Sequence, residues 1–214
     1  MLKTALALSA ALFMMIAPVE SRAAADPAVT PAAADLIAIG APAPAFTATD
    51  SNGKTVNLSD YQGKIVILEW TNHDCPFVRK FYDTKTMQNM QKEATGQGII
   101  WLSVVSSAEG KQGYTTAKEA NELISKEGSN ATARILDIGG SLGRLYGAAT
   151  TPHMYVINTD GTLVYAGAMD DQNSVSHGSL KTAKNYVKAT LDDLKAGQKV
   201  QISSSKPYGC AVKY

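Results

Sequence analysis

Two unbroken apolar runs, Ile-Val-Ile-Leu at 65–68 and Ile-Ile-Trp-Leu at 99–102, stand out from a chain that otherwise mixes apolar and polar positions. Runs this short, without period-two alternation, predict strands buried on both faces, the second continuing through Ser103 to Val105. Between them, residues 77–94 carry good helix formers at helical spacing, with one break at 83–85, and Gly96 to Gly98 end the helix. Strand, helix, strand in that order predicts a right-handed parallel crossover. Upstream, 46–49 and 55–58 flank Asp50-Ser51-Asn52-Gly53, where Asn-Gly supplies the positive φ that a hairpin turn needs. Downstream, the pattern predicts a loop over 106–116, an amphipathic helix over 117–126, a short strand at 135–137 and a short helix over 141–146. A strand over 154–158 turns at Asp160-Gly161 into another over 162–167, and one long last helix is expected over 180–194, closed by Gly197. The sum is one α/β domain with helices around a central mixed sheet; no repeat or second domain is visible.

The two ends do not share this pattern. Lys3 opens a short basic region, residues 5–16 are an apolar run, and Ala23-Ala24-Ala25 offer a small-residue cleavage site. That run is shorter than the roughly 20 residues of a spanning helix, so residues 1–25 are expected to be a cleavable signal peptide, with no stable membrane anchor. Export to the periplasm is the expected consequence. Residues 26–38 read as a flexible leader, 39–199 as the folded domain and 200–214 as a C-terminal tail. The whole chain has 20 basic and 19 acidic residues, and losing Lys3, Arg22 and Glu20 with the signal peptide leaves 18 of each. A neutral chain argues against nucleic acid or an anionic membrane as partner.

The chemistry concentrates on two cysteines, Cys75 and Cys210. Cys75 stands at a strand-to-helix junction, with Pro76 fit for the first helical position because no partner is needed for its missing N–H. A thiolate there gains from unpaired backbone N–H groups and the helix dipole, and Arg79 and Lys80 lie a turn further on to add positive potential. The expectation is a reactive thiol. Glu69, at the end of the first apolar strand, is either buried, where desolvation raises its pKa as a general base requires, or a surface carboxylate. An even cysteine count in an oxidising compartment permits a disulfide, which would close a long loop, and the residues alone leave open whether the two sulfurs meet. A soft metal generally takes more than one thiolate, and Cys75 has none nearby. No metal is expected, although His73 adjoins the cysteine and His153 adjoins Pro152; His177 reads as a loop residue. No flavin, nicotinamide or phosphate loop is visible, so no cofactor is expected.

Together, the Asn-Gly hairpin, the strand ending in Glu69-Trp70, the helix-opening cysteine and Thr151-Pro152 before a terminal hairpin and helix resemble the thioredoxin fold. More closely, residues 40–46, Leu58-Ser59-Asp60-Tyr61-Gln62-Gly63-Lys64 and Asn158-Thr159-Asp160-Gly161 resemble the redoxin branch, the alkyl hydroperoxide reductase and thiol-specific antioxidant group. Cys75-Pro76-Phe77-Val78, residues 167–171 and Gly209-Cys210-Ala211-Val212-Lys213-Tyr214 are closest to its exported, peroxiredoxin-like members. The resemblance implies a single thioredoxin-like domain in which Cys75 is the attacking cysteine. It makes Pro152 a cis-proline facing that sulfur, Thr151 a donor of backbone groups to an incoming chain, and Glu69 a buried carboxylate that moves protons.

Departures from the pattern are equally informative. Val78 stands where a Cys-x-x-Cys motif has its second cysteine, so a local dithiol is ruled out. Where peroxiredoxins carry Pro and Thr, seven and three residues before the cysteine, this chain has Leu68 and Asn72. Asn72, Asp74 and Arg79 are the remaining candidates for holding a substrate. Cys210 is the candidate resolving cysteine, condensing with a sulfenic acid on Cys75 to give a disulfide, and a static Cys75–Cys210 bridge is the alternative. The resulting expectation is an exported antioxidant thiol oxidoreductase that takes a peroxide or disulfide substrate and is reset by an external thiol reductant protein. Two alternatives stand beside it: a thiol-disulfide exchanger acting on partner proteins, and a non-catalytic binding or redox-sensing module.

Overall fold

The computed structural model of the protein describes Met1 and residues 37–214, so the expected signal peptide and nearly all of the leader lie outside the described residues. Strands β1 (Thr47–Thr49) and β2 (Thr55–Asn57) form the expected hairpin. Its turn places Gly53 at φ +76°, a conformation that glycine adopts without steric cost. The central apolar run is β3 (Val66–Trp70), buried at every position as a strand with neighbours on both sides and layers on both faces must be. Helix α1 (Pro76–Asp83) follows, and Lys85 in the left-handed region breaks it from α2 (Thr86–Gly96), where the break was expected.

The parallel crossover then delivers β4 (Ile100–Val105) beside β3, with Ile67 opposite Trp101 and Glu69 opposite Ser103. Helix α3 (Ala117–Glu127) starts on a capping box in which the Thr116 hydroxyl accepts from the Glu119 N–H and Glu119 accepts from the Thr116 N–H. After β5 (Ala133–Leu136) and the short α4 (Ser141–Leu145) come the two-residue β6 (Thr150–Thr151) and the hairpin β7 (His153–Ile157) with β8 (Leu163–Gly167). The five long strands form one sheet in the order β5-β4-β3-β7-β8, antiparallel at β3–β7 and β7–β8. Alternation along β3 sends Ile67 to the layer that holds Cys75, Phe81 and Trp101, and Leu68 and Trp70 to a second layer with Tyr146 and Tyr155. This is a thioredoxin-like α/β fold.

The last helix differs from expectation. Instead of one helix over 180–194, a 3-10 turn (His177–Lys181) is separated from α5 (Tyr186–Lys195). The intervening backbone is committed elsewhere: Lys184 donates its N–H to the Asp171 carboxylate at 2.9 Å and accepts the Asp171 N–H at 3.2 Å, and the Asn185 side chain then caps α5 by accepting from Lys188 N–H at 2.8 Å. Helical propensity over 182–185 yields to that pairing and to the cap. Residues 200–214 run back over the domain and end in β9 (Cys210–Ala211), paired antiparallel with β6.

Candidate active site

Cys75 is the N-cap residue of α1, fully buried, with Pro76 at the first helical position. The Thr151–Pro152 bond is cis, and the Cys75 thiol donates to the Thr151 carbonyl at 3.2 Å, so the sulfur and the cis-proline face each other as the resemblance implies. Register then brings in the second sulfur. Thr151 pairs with Cys210 in the β6–β9 ladder, the Thr151 hydroxyl donates to the Cys210 carbonyl at 3.4 Å, and Cys210 packs against the core layer that contains Cys75. Both cysteines are free thiols.

Their acidities are unequal. Burial opposes ionisation of Cys75, but the Cys210 thiol, the Thr151 side chain and the backbone N–H groups of Cys210 and Val78 together outweigh it and leave the Cys75 pKa below the ordinary cysteine value. Cys210 moves the other way, raised to about 11 by burial and then by the charge and hydrogen bonding of Cys75. The two shifts run in opposite directions, so Cys75 is the more acidic of the two thiols and Cys210 the one that keeps its proton longer.

The cations expected to assist Cys75 are spent on other partners. Arg79 pairs with Glu127 at 2.9 Å and with Asp83 one turn along α1. Lys80 is wholly buried against Asp170 at 3.3 Å. A carboxylate lies within reach of each, so hydrogen-bond donors rather than cations lower the Cys75 pKa, which corrects the expectation for both residues. Asn72 is also occupied: its amide N–H donates to the Gln112 carbonyl at 3.3 Å and its oxygen accepts from the Asp74 N–H at 2.9 Å, fixing the bend that leads into Cys75. Asp74 is half exposed beside His73 at 3.3 Å. Asp74 and Arg79 line a cleft of about 500 Å³ with Tyr82, Asp83, Lys126 and Glu127.

Of the two readings of Glu69, burial is the outcome. One carboxylate oxygen accepts from Tyr82 at 2.9 Å, the other from Trp101 at 2.7 Å, Ser103 at 3.1 Å and Gln91 at 3.1 Å. Desolvation nevertheless dominates these four donors and raises its pKa. Among the described residues no hydrogen bond joins Glu69 to Cys75, so the carboxylate stands behind the site. His153 is turned to the other side of the sheet, its Nδ1 facing the Tyr155 hydroxyl at 3.1 Å and accepting from the Ala149 N–H at 3.3 Å, and burial lowers its pKa to about 4. The neutral ring belongs to the aromatic layer with Trp70 and Tyr146. Residue patterns missed Asp170 and Tyr208, which converge with Lys80 beside the tail; the one available signal was that Lys80 is a charged position inside an otherwise buried helix face, Val78, Phe81 and Tyr82.

Two solved structures share this architecture. An uncharacterized conserved protein from Geobacillus kaustophilus superimposes with a TM-score of 0.70 at 22% identity, over 84% of this chain and 94% of that one. A hypothetical protein from Sinorhizobium meliloti 1021 does so with a TM-score of 0.70 at 21% identity, over 83% and 95%. No curated protein matches the sequence. Residues 39–166 match the AhpC/TSA family, a span that takes in Cys75 and the cis-proline and stops short of Cys210. That span is more than half of the 214 residues, and with an acidic free thiol seated on a thioredoxin-like fold it makes this protein a thiol oxidoreductase of the AhpC/TSA family.

Proposed function

We propose that the protein is an exported, periplasmic antioxidant oxidoreductase that cycles through a reversible Cys75–Cys210 disulfide. The observation that carries this reading is the β6–β9 ladder, which sets a second free thiol against the acidic one. In the first step the Cys75 thiolate attacks the distal oxygen of a hydroperoxide; the O–O bond breaks, the alkoxide or hydroxide that leaves takes a proton from solvent to become alcohol or water, and Cys75 becomes a sulfenic acid. In the second, the Cys210 sulfur attacks Cys75, the S–O bond breaks and water leaves. Apart from burial, what raises the Cys210 pKa is the Cys75 thiolate, so oxidation of Cys75 removes that restraint when Cys210 must act. An external thiol protein then reduces the disulfide and is itself oxidised.

Thiol-disulfide exchange with partner proteins is the second reading, favoured by a specific observation. Arg79 and Asn72, the side chains nearest in type to those that orient a peroxide, are held by Glu127, Asp83, Gln112 and Asp74. Cys210→Ala tests both readings. Without the Cys210 donor the Cys75 pKa rises, so the midpoint of its alkylation rate against pH moves upward from the wild-type value. With peroxide the variant accumulates a trappable sulfenic acid at Cys75, and with a cysteine-containing protein disulfide it accumulates a mixed disulfide. An unshifted midpoint together with neither adduct contradicts the cycle.

A further inference from the structure

The second thiol does not hold its own place. Two residues before Cys210, the Tyr208 hydroxyl donates to the Asp170 carboxylate and accepts from the buried Lys80 ammonium at 3.0 Å. Lys80 in turn donates to Asp170 at 3.3 Å and to the Gln172 carbonyl at 2.9 Å, and both charged side chains are essentially without solvent contact. Hydrogen bonds to charged groups in such surroundings are among the strongest a side chain makes. The Tyr208 ring also meets Phe77 edge to face, with centroids 5.8 Å apart. Phe77 and Lys80 both belong to α1, the helix that Cys75 opens. One helix thus carries the first sulfur at its start and, within its first turns, the anchor of the segment that carries the second.

Between anchor and thiol stands Gly209. Its φ is +136°, and a Cβ there would lie 2.0 Å from the Thr151 carbonyl oxygen, so the chain can pass this close to the cis-proline segment only as glycine. A cleft of about 520 Å³, lined by Phe77, Thr150, Asp170, Tyr208 and Gly209, opens beside this path. The tail is bonded upstream at Ser205, to Tyr165 and Ala168, and downstream at Val212 and Tyr214, to Ala149 and Ala148; between those points Tyr208 and the short β6–β9 ladder hold it. Two paired residues make a weak ladder by themselves.

We propose that Tyr208, clamped by Lys80 and Asp170, is the positioning residue for the second thiol and sets the effective concentration of Cys210 at Cys75. The proposal deepens the two-cysteine reading and rests on it only for the sulfenic acid step. It concerns the condensation Cys75–SOH + Cys210–SH → Cys75–S–S–Cys210 + H₂O. It concerns equally the exchange in which one oxidised glutathione takes the two thiols to the disulfide and leaves as two reduced glutathiones. Each step gains from a tail already docked.

Tyr208→Phe keeps the ring against Phe77 and deletes both hydrogen bonds of the hydroxyl. The equilibrium constant for forming the Cys75–Cys210 disulfide against glutathione is expected to fall about tenfold or more, on the scale of a lost charge-assisted hydrogen bond. After one equivalent of hydrogen peroxide, the Cys75 sulfenic acid, once formed, is expected to persist about tenfold longer and to over-oxidise more readily, while the first loss of the Cys75 thiol slows only as far as the undocked Cys210 no longer donates to it. Asp170→Asn, which keeps the shape of the clamp and removes its charge, should move the same two quantities in the same direction and serves if Tyr208→Phe fails to fold. A glutathione equilibrium and a condensation rate equal to wild type in a folded variant overturn the proposal. Failure of the parent reading has a different signature: wild-type protein inert to peroxide, with the glutathione equilibrium still reporting on the clamp.

Discussion

Replacing Cys75 with serine is expected to lower turnover of peroxide or of a protein disulfide by on the order of a thousandfold or more, as loss of a nucleophile does elsewhere. The protein should remain folded. Cys75 is buried at the N-cap of α1, a position that serine fills well, and nothing in the core depends on a bond made by its sulfur other than the contact with Thr151 and Cys210. A hydroxyl is far too weak an acid to be ionised by the donors that serve a thiol, so structure persists while chemistry is lost. The check is the initial rate of oxidant consumption beside the thermal midpoint of the variant. Activity within tenfold of wild type in the folded variant would move the chemistry away from Cys75.

The second large effect falls on stability. Glu69→Ala strands four buried donors at once, those of Tyr82, Gln91, Trp101 and Ser103, and opens a cavity between β3, α1, α2 and β4. A loss of about 3–5 kcal/mol follows from the class of change, measured by denaturant unfolding. The pH dependence separates the carboxyl from its shape. Because burial raises the folded pKa of Glu69 above the unfolded one, its contribution is complete below the unfolded value, where both states are protonated. It is lost as pH rises through the folded value, where the native state must ionise in the core. Wild-type stability therefore carries a downward slope with rising pH that begins near 4.5, and Glu69→Gln should lack it. The same variant addresses proton movement: if the pH dependence of Cys75 reactivity is unchanged in it, Glu69 acts through packing and hydrogen bonding alone.

What the residues disclosed about this molecule follows from how each element is stabilised. Strands β3 and β4 are buried on both faces, so their apolar runs are unmistakable, and the break before α2 is written into a stretch that ends one helix at Asp83 and begins another at Thr86. Cys75 is legible as a helix-capping thiol because Pro76 marks the helix start. By contrast β6 and β9 have two residues each, too few to show any period, and their pairing joins positions 59 apart in the chain. The tail therefore read as an end without structure. Charge is harder still: Lys80 looked like a surface cation favouring Cys75, whereas its partner Asp170 lies 90 residues away and turns it inward. Glu69 was evenly balanced between core and surface because its four donors come from α1, α2 and β4 and none is adjacent in sequence. Around the last helix, local propensity lost to the pairing of Lys184 with Asp171.

The central claim is that two free thiols form one redox couple, and the most direct test counts them. Reduced protein is titrated with hydrogen peroxide, the remaining thiols are counted, and the linkage is mapped by peptide mass. The account predicts that one equivalent removes both thiols within seconds and leaves a Cys75–Cys210 disulfide that an external dithiol reverses. Thiols that persist through the titration, or a product in which Cys75 is oxidised while Cys210 stays free, would contradict it.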